Sequence, residues 1–379
     1  MQGSPPVMAD GELEILSYSR PPAPLGTRRR LGAIPPLVRA RHHDSASTEV
    51  FPRQCCPMAE MTSAHYFAHD VDSSMLLTSG EPDLFVSRQR PYRGREPLSS
   101  PAVLYVHGAT FPSALSVSYP LDGRSWGADL AEAGLDVWAF DFAGFGRSER
   151  YPGQDRDPAG VPPLGRAHES ARQLERVLKH VVAVRGGGRV SLLAHSWGTM
   201  VAGLVAGRFP ELVDRLVLFA PFARRDLTGL PDAAALGGWF PLTVAEQHSR
   251  FVSDVPDGHP PVLTPQFDQW ASEWLATDPV SGGGSTPSVR TPSGPRADML
   301  AAWSGDLPYE PGLIEAPTCI VRGEWDSMCT DEDARGLFAA ITSSPLRQDV
   351  KISEGGHLMH LESGRRALYR AAAGFLLGA

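Results

Sequence analysis

The sequence predicts an α/β chain: a mostly parallel sheet flanked by helices, with a helical segment inserted between the strands Leu216 to Ala220 and Thr318 to Val321. Three observations lead there. Short apolar runs bounded by glycine or polar residues alternate with longer segments of helical spacing, the pattern of βαβ units. Runs such as Ala102 to His107 are apolar throughout, as strands covered on both faces are. Finally, residues 222–316 separate two strand-like runs by far more chain than a crossover of about a dozen residues requires.

The elements follow in order. Ala102 to His107 is a buried strand ending at Gly108, and the helix from Ser125 to Ala133 has Ser125 as N-cap and Gly134 as its stop. Asp136 to Phe142 is a strand that runs into a glycine-rich turn, Ala143 to Ser148. From Leu164 to Val184 the residues Leu174, Val177, Leu178, Val181 and Val182 recur at helical spacing until Gly186 to Gly188 end the pattern. Val190 to Ala194 is a strand, Trp197 to Phe209 a close-packed helix rich in small residues, and Leu216 to Ala220 a strand. Thr318 to Val321 and Asp349 to Ile352 are the last strands, with helices over Asp331 to Ile341 and Ser363 to Leu377. No element is assigned before Ala102, and Arg88, Arg90, Arg93 and Arg95 read as a solvated hairpin or loop.

Composition narrows the function classes. The 379 residues, 42% hydrophobic and 21% charged, are globular in balance and suffice for two or three average domains or one large domain with an insertion. A net charge of -8 argues against a phosphate-binding surface, and hence against nucleic acid as a partner. All basic residues but Lys179 and Lys351 are arginines, which with 38 Gly and 35 Pro reflects coding bias more than function. Four cysteines, Cys55, Cys56, Cys319 and Cys329, have no metal or redox spacing. No apolar run approaches the ~20 residues of a membrane span.

Residues 1–60 are rich in Pro, Arg and Ser, lack apolar periodicity and read as a disordered extension. Arg28 to Arg30 invite comparison with a twin-arginine signal, but Leu31 to Val38 is short and broken by Pro35 and Pro36. A cytoplasmic location and a translation start near Met58 or Met61 are the expectations. The remainder divides into 61–221, an inserted segment 222–316, and 317–379.

In such sheets the carboxyl ends of the strands carry the chemistry. Ala194-His195-Ser196-Trp197-Gly198 lies between strand and helix, where a tight turn exposes a serine hydroxyl. It resembles the nucleophile elbow of the α/β-hydrolase family, with Ala194 at the first glycine position. Four further segments match that family in order: His107 to Thr110 its oxyanion loop, Asp141 to Ser148 its structural D-x-x-G-x-G-x-S turn, Gly323 to Asp326 its acid turn, and Gly356-His357-Leu358-Met359-His360-Leu361-Glu362 its histidine segment. The resemblance runs from about residue 70 to the end, interrupted by the inserted segment, which at this position in the family, after the sixth strand, is a cap or lid.

The resemblance implies a serine hydrolase. Ser196 is the nucleophile, His357 the base and Asp326 the group that orients it, with the backbone N–H groups of Ala109 and Trp197 as oxyanion donors. The implied chemistry is hydrolysis of a carboxylic ester or lactone of a small, largely apolar substrate through an acyl-enzyme. Thioester, amide or carbon–carbon bond hydrolysis on the same residues, and a silent ligand-binding relative, are the alternatives. A serine at the elbow speaks against dehalogenase and epoxide hydrolase chemistry, which needs a carboxylate nucleophile. Neither metal nor organic cofactor is implied. His360 competes with His357, and Glu324 with Asp326; His195 and His107 read as structural. The inserted segment holds four of the eight tryptophans. Together with Thr110 and Phe111, its Trp239, Phe240, Trp270 and Trp274 form a candidate substrate pocket. An aromatic surface of this kind equally suits a homodimer contact. Asp278 to Pro295, with Gly282 to Gly284, reads as a flexible loop and lid hinge.

Overall fold

Apolar strands that are covered on both faces set the architecture. In the computed structural model, residues 71–92, 99–260 and 266–378 are described. The chain begins with strands β1 (Ser73–Leu77) and β2 (Leu84–Gln89), then β3 (Ala102–Val106), helix α1 (Trp126–Glu132), β4 (Asp136–Phe140) and α2 (Ala167–Val184). It continues through β5 (Val190–His195), α3 (Gly198–Arg208) and β6 (Val213–Phe219). Between β6 and the next sheet strand come β7 (Trp239–Thr243), α4 (Val244–Val252), α5 (Phe267–Ala276), the single turn α6 (Pro279–Gly282), β8 (Ser288–Pro292) and α7 (Gly294–Trp303). The main sheet resumes with β9 (Thr318–Gly323), α8 (Asp331–Ala340), β10 (Arg347–Ile352) and α9 (Arg365–Leu377).

Eight strands form one sheet in the order β1-β2-β4-β3-β5-β6-β9-β10. Only the β1–β2 and β2–β4 pairs are antiparallel. The register aligns the carboxyl ends of the central strands: Val106 pairs with Ala194, His195 with Phe219, and Phe219 with Val321. The loops leaving β3, β5, β6 and β9 therefore open at one level of one edge.

Helix packing follows from the sequence pattern. Along α2, Leu174, Val177, Leu178 and Val181 form one fully buried stripe. The next helix, α3, is buried from Gly198 to Ala206, which explains why its apolar residues surround the axis. Ser125 Oγ accepts the Ala128 N–H at 3.0 Å as the N-cap of α1. On the α1 and α9 side, the Trp126 ring lies flat on Tyr369 at 4.9 Å and edge-on to Phe219 at 6.0 Å. Each such aromatic contact contributes about 0.5–1.5 kcal/mol beyond burial of its area.

Three sequence expectations are corrected. Arg88 is not solvated: it lies in β2, where its Nε donates to Asp136 at 2.8 Å, and the same buried carboxylate takes Arg185 at 2.6 Å. A carboxylate shared by two guanidinium groups holds β2 and β4 to the end of α2. The inserted segment is not wholly helical, because β7 and β8 pair antiparallel from Trp239 opposite Pro292 to Thr243 opposite Ser288. Nor is Asp278 to Pro295 a loop throughout. Arg290 in β8 closes a two-pronged pair with Asp278 at 2.8 and 2.7 Å, while Val289, Thr291 and Pro292 are buried. Residues 1–60, the cysteines Cys55 and Cys56, Met58 and Met61, and Arg93 and Arg95 lie outside the described residues.

Candidate active site

The turn between β5 and α3 places Ser196 in the left-handed region, at φ 56°. A non-glycine residue held there is strained by about 1–3 kcal/mol, and the surrounding bonds must impose it. Here the Ser196 N–H donates to the Phe219 carbonyl at 2.9 Å, and the Thr199 hydroxyl donates to the Ser196 carbonyl at 2.6 Å. Gly198 is required by close approach: a β carbon there would stand 2.4 Å from the main-chain oxygen of His107. Strand β3 and the start of α3 therefore meet backbone to backbone beside the serine.

Ser196 Oγ lies 2.8 Å from His357 Nε2, and His357 Nδ1 lies 3.0 Å from each carboxylate oxygen of Asp326. All three residues are buried, His357 being the most open at 6% exposure. Asp326 is set by its own turn, its Oδ1 accepting the N–H groups of Met328 at 2.9 Å and Cys329 at 3.1 Å. The competing acid, Glu324, is exposed and accepts the Glu354 N–H at 3.1 Å instead. Of the two histidines three residues apart, His357 faces the serine. His360 is fully buried, and burial pushes its pKa down to about 3.

His107 and Asp141 shape the loop opposite. Nδ1–H of His107 donates to the Gly108 carbonyl at 2.7 Å, and Nε2 accepts the Phe142 N–H at 2.9 Å. Burial lowers its pKa, so the ring is a neutral strut between two loops. Asp141 accepts from the Ser113 N–H at 2.9 Å and its hydroxyl at 2.6 Å, tying the glycine-rich turn to the residues after the loop. The loop passes close to the nucleophile position: a β carbon on Gly108 would sit 3.2 Å from Ser196 Cβ. Ala109 is half-buried, and among the described residues no acceptor takes its N–H or that of Trp197.

Of the candidate pocket residues, the fold assembles four. Trp274 donates to the Thr110 carbonyl at 3.0 Å and Trp270 to the Leu115 carbonyl at 2.9 Å. Phe111 meets Trp270 edge-on at 5.2 Å. These rings join Phe251 with Leu358, next to His357, and Leu361, next to His360, in one apolar cluster. Phe240 packs only at its edge. Trp239 is turned away, its indole donating to the Arg156 carbonyl at 3.0 Å.

Two site contacts escape sequence reading. Asp298 of α7 accepts the Trp197 indole at 2.9 Å, and His195 Nε2 meets the main-chain oxygen of His357 at 3.1 Å. Both join residues more than 100 positions apart, so no local pattern signals them. Neither described cysteine is a thiolate candidate: burial pushes Cys319 up to about 12 and raises Cys329 too, with Asp326 adding to the latter.

Comparison with known proteins points one way. A family model described as alpha/beta hydrolase fold matches residues 101–364. Among curated proteins none matches this sequence. Among solved structures, the chain is similar to the thioesterase domain from the curacin biosynthetic pathway, with TM-score 0.54 and 18% identity, covering 80% of this chain and 99% of that one. It is also similar to a carboxylesterase structure from the ammonia-oxidizing Thaumarchaeon Nitrososphaera gargenis, with TM-score 0.53, 13% identity and coverage of 80% and 98%. An epoxide hydrolase from Vigna radiata matches with TM-score 0.52, 14% identity and coverage of 82% and 99%. At these identities the likeness is one of fold. No helix among the described residues is long and apolar enough to cross a membrane.

Proposed function

This chain belongs to the α/β-hydrolase family, and from that premise we propose that it is a serine hydrolase acting on a carboxylic ester or lactone of a small, largely apolar substrate. The observation that carries this reading is the unbroken chain of bonds from Ser196 Oγ to His357 Nε2 at 2.8 Å and from His357 Nδ1 to Asp326 at 3.0 Å.

An unassisted serine hydroxyl is a weak nucleophile, so the proton must leave as the oxygen attacks. His357 takes it at Nε2 while Asp326 keeps the opposite nitrogen protonated and stabilises the resulting imidazolium. Attack on the acyl carbon develops negative charge on the carbonyl oxygen. The Ala109 and Trp197 N–H groups meet that charge, each such donor contributing about 2.7–4 kcal/mol to transition-state stabilisation. Collapse expels the alcohol, which receives the proton from His357, and leaves an ester on Ser196. Water, activated by the same imidazole, releases the acid and restores the serine. The segment 222–316 acts as a cap, with Trp270, Trp274 and Phe111 walling an apolar binding space.

A serine rather than a carboxylate at the elbow argues for acyl chemistry over epoxide opening. A panel of p-nitrophenyl esters, lactones, thioesters and amides, run with the wild type and Ser196→Ala, tests the reading. Ester or lactone turnover lost in the variant supports it; equal turnover by both proteins overturns it.

A further inference from the structure

Two adjacent residues of the elbow grip one residue across the chain. Ser196 binds the His357 ring, while His195 Nε2 lies 3.1 Å from the His357 main-chain oxygen. A carbonyl oxygen only accepts, so His195 carries its proton on Nε2 and leaves Nδ1 bare. Nδ1 has no partner among the described residues. The ring itself is fixed by packing, lying nearly parallel to Phe219 at 4.6 Å and 22°, and a β carbon on Gly108 would stand 3.0 Å from Nδ1. Its one polar bond therefore goes to His357.

The segment that carries His357 needs such a restraint. It follows Gly355 and Gly356, and Glu354 before them has φ 58°. Neighbouring main chain is held at Gly355, whose carbonyl accepts the Trp325 N–H at 3.0 Å, and at Gly356, whose N–H donates to Glu362 at 3.1 Å. Among the described residues, the oxygen of His357 itself takes its hydrogen bond from His195 alone.

We propose that His195 is a positioning residue, whose Nε2–H holds the main chain of His357 so that one ring meets Ser196 and Asp326 together. The inference rests on reading Ser196 and His357 as nucleophile and base. It also assigns His195 a charge state. The two rings are 5.5 Å apart, so a second positive charge would oppose the imidazolium that His357 becomes. Burial foremost, then the charges of His360 and His357, holds the pKa of His195 well below its usual value and keeps the ring neutral.

The test compares the full-length wild type with His195→Phe, which keeps a ring on Phe219 but has no donor, and His195→Gln, which restores an N–H. Two quantities are read: kcat and KM on p-nitrophenyl acetate, and the downfield proton resonance of His357 Nδ1–H bonded to Asp326. His195→Phe should retain its fold by circular dichroism and lose about tenfold in kcat with KM nearly unchanged, the loss expected for roughly one hydrogen bond. Its downfield resonance should broaden or vanish, and His195→Gln should regain part of both. A folded His195→Phe with wild-type kcat and resonance overturns the proposal. Should His195→Phe not fold, His195→Gln against His195→Met decides: a deficit confined to Met supports the proposal, and equal activity overturns it. Absence of both turnover and fluorophosphonate labelling in the wild type would overturn the nucleophile reading. The resonance, which needs no substrate, would still decide the role of His195.

Discussion

The Trp197 indole donates to Asp298 at 2.9 Å, fastening the residue that follows the proposed nucleophile to a helix of the inserted segment. The same carboxylate accepts the Ala167 N–H at 2.7 Å and Arg166 Nε at 2.5 Å, so three donors, two of them from the start of α2, converge on one buried acceptor. Asp298→Ala strands all three. The expected loss is about 3 kcal/mol of stability, read as a shift in the urea midpoint, because the buried Ala167 N–H and Trp197 indole are left unpaired, whereas the exposed Arg166 regains water. Labelling of Ser196 should slow as well. Asp298→Asn, which keeps an acceptor oxygen, should be milder. An unchanged midpoint in Asp298→Ala would show that the junction contributes nothing.

Asp326 and Glu324 are separated by one residue and differ in every physical respect that matters to His357. Asp326→Asn should cut kcat by about 10⁴ while leaving the fold intact, because the amide favours the wrong imidazole tautomer. Glu324→Gln, altering an exposed side chain bonded to the Glu354 N–H, should stay near wild type. A reversed ranking in steady-state kinetics would reassign the acid.

That contrast shows what the sequence makes legible. Ser196, Asp326 and His357 each sit in a short segment whose local pattern makes it a candidate, the fold brings the three side chains together, and the strand ends that carry them can be read from apolar runs. What stays hidden is whatever local pattern does not carry. Strand β1 is exposed at four of its five positions, so it has no apolar signature. In β7, Pro241 and a half-buried run disguise a two-stranded pairing. Arg88 looks like a surface charge until the fold brings it against Asp136 from 48 residues away.

Glu362 makes stability depend on pH. Its Oε2 accepts the Gly356 N–H at 3.1 Å, and burial foremost, with Asp326 and Asp254 nearby, pushes its pKa from 4.5 up to about 7. Between those values the folded state binds a proton that the unfolded state has lost, so stability falls as pH rises from 4.5 to 7 and levels off above. The full effect is about 3 kcal/mol at 1.36 kcal/mol per unit. Glu362→Gln should remove this fall. Urea unfolding of both proteins at pH 5 and pH 8 checks it: an identical pH dependence in the two would contradict the assignment.

The Arg290–Asp278 pair limits where the inserted segment can be cut. Limited digestion with a nonspecific protease should nick residues 283–287, the exposed turn between α6 and β8, and spare β8 itself. Arg290→Gln should speed cleavage and extend it into β8. Primary cuts elsewhere in 222–316, mapped by mass spectrometry, would contradict this picture.

The proposed attack of Ser196 on an acyl carbon, with His357 as its base, leaves a covalent adduct on the serine. Its most direct measurement is mass spectrometry of the protein after brief exposure to a fluorophosphonate probe and, separately, to an activated ester. One adduct per chain, mapping to the peptide that carries Ser196 and absent from Ser196→Ala, is the predicted result. An adduct on another residue, or labelling that persists undiminished in Ser196→Ala, would contradict it.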